Sequence, residues 1–153
     1  MILVNKHLII VGIAVLLIAI GLSGCINYES NTNPIELGDI TPKEAFDLIQ
    51  NNSENKNFSI IDVRTPEEYA NGYIENSTNI IYNSNSFIDE VNQLDKNKTY
   101  LVYCRLGRRS RKAVNIMKEL GIKEVYNMVG GITRWEAEGL PIVEEDRSGT
   151  PWI

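Results

Sequence analysis

The chain has 153 residues, 43% of them hydrophobic and 23% charged, a length and balance that suit one globular domain with a short appendage and leave no room for a second core. Twenty acidic residues against fifteen basic ones give a net charge of −5, and an acidic body argues against nucleic acid as a partner and against anionic headgroups as the main attachment. The single histidine, His7, stands near the N-terminus, so chemistry in the body of the chain must proceed without imidazole.

From Leu8 to Leu22 the sequence is apolar and uncharged, preceded by Lys6 and followed by Ser23-Gly24-Cys25, which reads as an export signal. The four residues Leu22 to Cys25 resemble the lipobox of prokaryotic lipoproteins, in which small residues precede a cysteine that becomes the lipid-modified N-terminus. That resemblance implies a signal peptide over residues 1–24, lipid on Cys25, a flexible tether over 25–35, and a protein held on the outer face of the cell membrane. The alternative is an uncleaved anchor, since the run is only slightly short of the ~20 residues a spanning helix needs. Removing residues 1–24 takes away Lys6 and no acid, leaving 14 basic against 20 acidic residues, a net −6.

Thr41-Pro42-Lys43-Glu44 then predicts a helix start, with Thr41 as N-cap and Ala45, Leu48 and Ile49 as the apolar face. The polar run Asn51 to Asn57 ends it, and Phe58 to Val63 reads as a buried parallel strand. Thr65-Pro66-Glu67-Glu68 repeats the helix start, and Gly72 closes a short helix that contains Tyr69. Asn79 to Tyr82 predicts a brief strand and Ser86 to Leu94 a weak helix. Tyr100 to Tyr103 is a second buried strand that runs directly into Cys104.

After Arg109, the positions Ala113, Ile116, Met117 and Leu120 recur with helical spacing, and Gly121 supplies the stop. Val125 to Val129 predicts another strand, ending at Gly130-Gly131, and a last helix around Trp135 stops at Gly139. Residues 146–153 read as a tail beyond a domain of residues 36–145. Strands alternating with helices indicate an α/β fold with a largely parallel central sheet flanked by helices, and in such sheets functional loops lie beyond the carboxyl ends of the strands. Four sequons, at Asn51, Asn57, Asn76 and Asn97, leave glycosylation open in an exported chain.

Cys104 stands at such a strand end, inside the segment Tyr103-Cys104-Arg105-Leu106-Gly107-Arg108-Arg109-Ser110-Arg111. Arg105, Arg108, Arg109, Arg111 and Lys112 are five of the fourteen basic residues left after residue 24. Guanidinium groups and free N–H groups at a helix start favour the thiolate, the nucleophilic form of cysteine. A buried, inert cysteine is the plainer alternative, and a disulfide with Cys25 is another unless lipid occupies that thiol. Gly107 permits a tight bend, the backbone N–H groups of residues 105–110 can curl around the sulfur, and arginine forks suit oxyanions. The chemistry implied is nucleophilic attack on an anionic sulfur- or phosphorus-centred substrate.

At these residues the chain resembles the single-domain rhodaneses, or sulfurtransferases, over nearly all of residues 36–143. The matching elements are Asp62-Val63-Arg64 with Pro66, Glu68 and Tyr69, Gly72 with Ile74, and Asn79-Ile80. They continue through Tyr103-Cys104-Arg105 with Gly107, Arg109 and Ser110, and end with Gly130-Gly131, Trp135 and Gly139-Leu140-Pro141. The resemblance implies a rhodanese-like fold and a Cys104 thiolate that takes a sulfane sulfur from a donor such as thiosulfate, carries it as a persulfide and passes it to a thiol or other nucleophile. It calls for no cofactor and no metal, takes a small anionic sulfur donor and a thiol acceptor as partners, and leaves the oligomeric state open.

Two alternatives remain beside it. A phosphatase or arsenate reductase on the same fold places arginine six positions after the cysteine, where this chain has Ser110. A binding module would carry or sense sulfur without turnover. Within the leading reading, the substrate-binding loop is Arg105, Leu106, Gly107, Arg108, Arg109 and Ser110, with Arg105 and Arg109 on the anion and Gly107 and Ser110 giving backbone donors. Arg108, Arg111 and Lys112 form a solvated face that steers anions. Asp62 and Arg64, together with Glu68, are assigned a supporting ion pair beneath the cleft, and Trp135 a place in the core. Two departures from the family pattern, Tyr73 in Gly72-Tyr73-Ile74 and Ile81 in Asn79-Ile80-Ile81, bear on the adjacent turn.

Overall fold

Both Thr-Pro-x-Glu segments start helices through reciprocal capping boxes in the computed structural model, which describes residues 38–144. The proposed signal peptide, Cys25, the tether over 25–35 and the tail over 146–153 lie outside the described residues. In chain order the elements are β1 (Asp39–Ile40), α1 (Pro42–Asn51), β2 (Phe58–Asp62), α2 (Pro66–Ala70), β3 (Ser77–Asn79) and α3 (Phe87–Asn92). They continue with β4 (Thr99–Tyr103), α4 (Arg108–Glu119), β5 (Glu124–Met128) and α5 (Gly131–Ala137).

The five strands form one sheet in the order β1-β5-β4-β2-β3, and every pair is parallel. Parallel neighbours need a crossover that packs back on the sheet, so both faces are covered and the central strand β4 buries Tyr100 to Tyr103 on both sides. Along β4, Tyr100 and Val102 face Phe87 and Val91 of α3 and Ala113, Val114 and Met117 of α4. Leu101 and Tyr103 face the other way, toward Ala45 of α1 and Ile132 and Trp135 of α5. Trp135 is buried, tilts against Phe46 at 5.9 Å between ring centroids, and donates its indole N–H to Pro141 O at 2.9 Å.

Two elements differ from the sequence expectation. The third strand is the polar Ser77–Asn79 and not the apolar Asn79–Tyr82, because it is an edge strand defined by pairing with Ile60–Asp62 of β2. β1, only two residues long, has no periodicity to read, and it exists through its parallel pairing with Asn127 and Met128 of β5. In register, Asp62 at the end of β2 lies beside Tyr103 at the end of β4, so the segments after both strands leave the same edge of the sheet. Among the described residues, no helix is long and apolar enough to cross a membrane.

Candidate active site

Cys104 continues the alternation of β4, which turns its side chain into the core face shared with α4 and leaves the residue 1% exposed. Three residues later the backbone passes through Gly107 at φ +82°, the N-cap of α4. A Cβ there would meet Gly130 N at 2.9 Å and Met128 O at 3.0 Å, so glycine is required by both conformation and space. This turn aims the start of α4 at the sulfur.

The backbone N–H groups of Leu106, Arg109 and Ser110 donate to Cys104. The Ser110 hydroxyl stands 3.5 Å from Sγ. Burial pushes the thiol up, but the Ser110 hydroxyl and these three N–H groups outweigh it, and the thiol lies below its ordinary value. Gly107 is therefore the hinge of the cradle, while Leu106 and Arg109 join Ser110 as its backbone donors.

The loop carbonyls are turned away from the sulfur by a contact not visible in the sequence pattern. Ile132 N–H donates to Cys104 O at 2.9 Å and Thr133 N–H to Arg105 O at 3.1 Å, so the first turn of α5 takes up the loop's acceptors. Gly131 allows that approach, since a Cβ there would lie 2.2 Å from Cys104 O. With carbonyls committed to α5 and N–H groups to the sulfur, the site is pre-organised for negative charge.

The charged residues sort into pairs and free cations. Arg109 forms two 2.7 Å bonds to Glu68, a bidentate pair that joins α4 to α2, and Glu68 also accepts from Thr65 N–H at 3.1 Å in the α2 capping box. Glu68 thus lies with Arg109 and not, as the sequence reading grouped it, in the ion pair of Asp62 and Arg64. That pair is buried, with 2.7 Å between Arg64 Nη2 and Asp62 Oδ2, and Arg64 also donates to Gly72 O at 2.6 Å and lies over the Tyr103 ring. Its role here is to tie β2 to the turn that follows α2. Arg111 is turned to Asp39 of β1, whereas Lys112 is exposed.

Arg105 and Arg108 are exposed and carry no carboxylate partner among the described residues. With Leu106, also exposed, they border an open cleft of about 380 Å³ that has Cys104, Glu68 and Arg109 in its lining. A neighbouring depression shares Arg105 and Glu68 and extends to Arg64, Thr133 and Glu136. Of the two departures in the turn, Tyr73 stacks on Tyr69 at 4.4 Å between ring centroids and pairs its backbone with Val143. Asn79, which keeps the family residue beside the second, donates from Nδ2 to Asp62 O and Arg64 O at 2.9 and 3.0 Å.

Residues 41–138 match the family described as Rhodanese-like domain. The chain belongs to that family. The thiosulfate sulfurtransferase GlpE of Actinobacillus pleuropneumoniae is 32% identical over 105 residues, covering 68% of this chain and 91% of that protein. The putative sulfurtransferase YtwF of Bacillus subtilis is 38% identical over 82 residues, 54% of this chain and 77% of the relative. Among solved structures, a rhodanese-like domain protein from Staphylococcus aureus is 37% identical, with a TM-score of 0.56 over 71% of this rhodanese-like chain and all of that one. These relatives support rhodanese-type sulfur transfer in general and a rhodanese-like fold.

Proposed function

We propose that this protein is a sulfurtransferase that moves a sulfane sulfur from thiosulfate or a persulfide donor to a thiol through a persulfide on Cys104. The observation that carries this reading is a buried thiol whose sulfur faces three backbone N–H groups with the Ser110 hydroxyl 3.5 Å away, among described residues that include no histidine. The thiolate attacks the outer sulfur of thiosulfate, an S–S bond forms at Sγ, and the bond to the sulfonate sulfur breaks, releasing sulfite with the electron pair. An acceptor thiolate then bonds to the outer sulfur, and Sγ departs as the thiolate. Neither step requires a general base, which suits a site without imidazole.

The cradle supports the nucleophile, and the free cations Arg105 and Arg108 suit the approach of a dianionic donor. We further assign the protein to the outer face of the cell membrane, held by lipid on Cys25 or by an uncleaved anchor, on the strength of the Leu22–Cys25 pattern. The test is mass spectrometry of the protein after incubation with thiosulfate. A gain of one sulfur at Cys104, its loss to an added thiol with repeated turnover, and no gain in Cys104→Ser are the expected results. Thiosulfate:cyanide activity persisting in Cys104→Ser would sink the mechanism, and loading without onward transfer would make the protein a passive carrier.

A further inference from the structure

A line of buried polar side chains leads from Cys104 to the β1 edge of the sheet. Ser110 Oγ lies 3.5 Å from Cys104 Sγ and 2.6 Å from Asn127 Oδ1, and Asn127 Nδ2 lies 2.8 Å from Asp39 Oδ1. Arg111 pairs with the other Asp39 oxygen. Ser110 and Asn127 are fully enclosed and the Asp39 side chain is 4% exposed, so water does not compete for these groups.

The serine hydroxyl has one proton and two acceptors within reach. An anionic Asp39 oxygen needs a donor, which turns the Nδ2 end of the Asn127 amide toward β1 and leaves Oδ1 facing Ser110. Asn127 and the sulfur therefore compete for a single proton, and Asn127 holds the shorter distance. We propose that Asp39 and Asn127 are positioning residues that fix the direction of the Ser110 hydroxyl proton, holding it off Cys104 Sγ until that sulfur bears the charge. The proposal rests on the reading of Cys104 as the sulfur-carrying nucleophile.

In the resting thiol the S–H donates to Ser110 Oγ, which donates to Asn127. In the persulfide the charge resides on the outer sulfur, Sγ is a weak acceptor, and the hydroxyl stays with Asn127. When an acceptor thiolate bonds to the outer sulfur, the Sγ–S bond breaks and its electron pair remains on Sγ. The hydroxyl then rotates from Asn127 to Sγ, with no proton leaving the serine oxygen. Ser110 thereby assists departure of the cysteine thiolate, while Asn127 limits how strongly the free thiolate is held.

The other charged groups around the sulfur are Arg108 and Arg109 on α4, Arg105 on the loop and Glu68 of α2, which acts through Arg109. Around Asp39 they are Arg111 and Lys118 of α4, the latter close to Gly38. Any of these could move the titration of Cys104 through space, so the test must isolate the path through Ser110.

The experiment follows the pH dependence of iodoacetamide alkylation of Cys104 in the detergent-extracted full chain, read at the Cys104 peptide by mass. Asp39→Asn frees the Asn127 amide to turn and give its N–H to Ser110, releasing the hydroxyl proton to the sulfur, and the midpoint is expected to fall by about half to one pH unit. Asn127→Ala removes the competing acceptor and is expected to act in the same direction, which keeps the test alive if Asp39→Asn does not fold. Ser110→Ala is expected to raise the midpoint, and in that background neither second substitution should move it further.

A bare charge effect of Asp39 would persist undiminished in the Ser110→Ala background, and that result overturns the proposal. So does an unchanged or raised midpoint in Asn127→Ala. Sulfur loading from thiosulfate is followed separately in the unaltered protein. Failure to load would remove the sulfurtransfer reading while leaving the alkylation result to stand or fall by itself.

Discussion

Arg105 and Arg109 both border the Cys104 cleft, but their charges are not equally available. Arg109 is neutralised by two 2.7 Å bonds to Glu68, and its guanidinium is held as part of the scaffold. Arg105 is exposed without such a partner and lines both depressions beside the sulfur. The sequence treats the two alike, since spacing cannot show that Glu68, 41 residues away, has claimed one of them. The structure gives them different expected losses. Arg105→Ala should raise KM for thiosulfate by about fivefold to tenfold, the scale of one partly solvated charge-assisted hydrogen bond, with little change for an uncharged persulfide donor. Arg109→Ala should lower sulfur loading from both donors alike, because it loosens the first turn of α4 that feeds N–H groups to the sulfur. Initial rates with the two donors check this, and an equal preference loss in the two variants would return Arg109 to the substrate.

The link between α2 and α4 is where elements far apart in sequence meet to shape the loop. Local signals made most elements legible: the Thr-Pro-x-Glu starts of α1 and α2 are capping chemistry that four residues contain. The apolar runs of β2 and β4 lie within one residue of expectation because a strand buried on both faces has little else to be. What escaped was decided by partners. β1 is two residues paired with β5, β3 is polar and exists through β2, and Gly131 looks like a turn residue until α5 is docked on the cysteine loop. The Glu68–Arg109 pair belongs to this class and has a pH signature. Arg109's bidentate bond, opposed by burial, holds the Glu68 carboxyl down at about 2, below its ordinary 4.5. A depressed acid stabilises the fold fully above the ordinary value and loses that contribution as pH falls through its folded value. Glu68→Gln should therefore be less stable than the parent at pH 7, by about 1 kcal/mol for a partly exposed pair. The deficit should narrow as pH falls from 4.5 toward 2. Denaturant melts across that range decide it, and a deficit that does not change with pH would mean the pair contributes packing and no charge.

At the scale of the whole molecule, a cysteine chemistry that depends on a free thiolate is proposed for an oxidising compartment, and the proposed N-terminal anchor bears on whether that can work. Only two cysteines occur in the chain, Cys25 and Cys104. Cys104 is a buried free thiol, so its exposure to oxidants is limited to the cleft side. Were Cys25 left as a thiol, it would be a same-chain candidate for disulfide exchange with a persulfide or sulfenic acid at Cys104. Alkylation of Cys25 by lipid would remove that partner and at the same time hold the acidic body at a surface whose own charge does not attract it. The lipid reading therefore predicts two properties together in membrane-extracted protein. Intact mass should show an N-terminus at Cys25 with added lipid, and thiol titration after denaturation should find one reactive sulfur per chain. A mass beginning at Met1 with two titratable thiols would establish the uncleaved anchor instead, and Cys104 would then need another protection against Cys25.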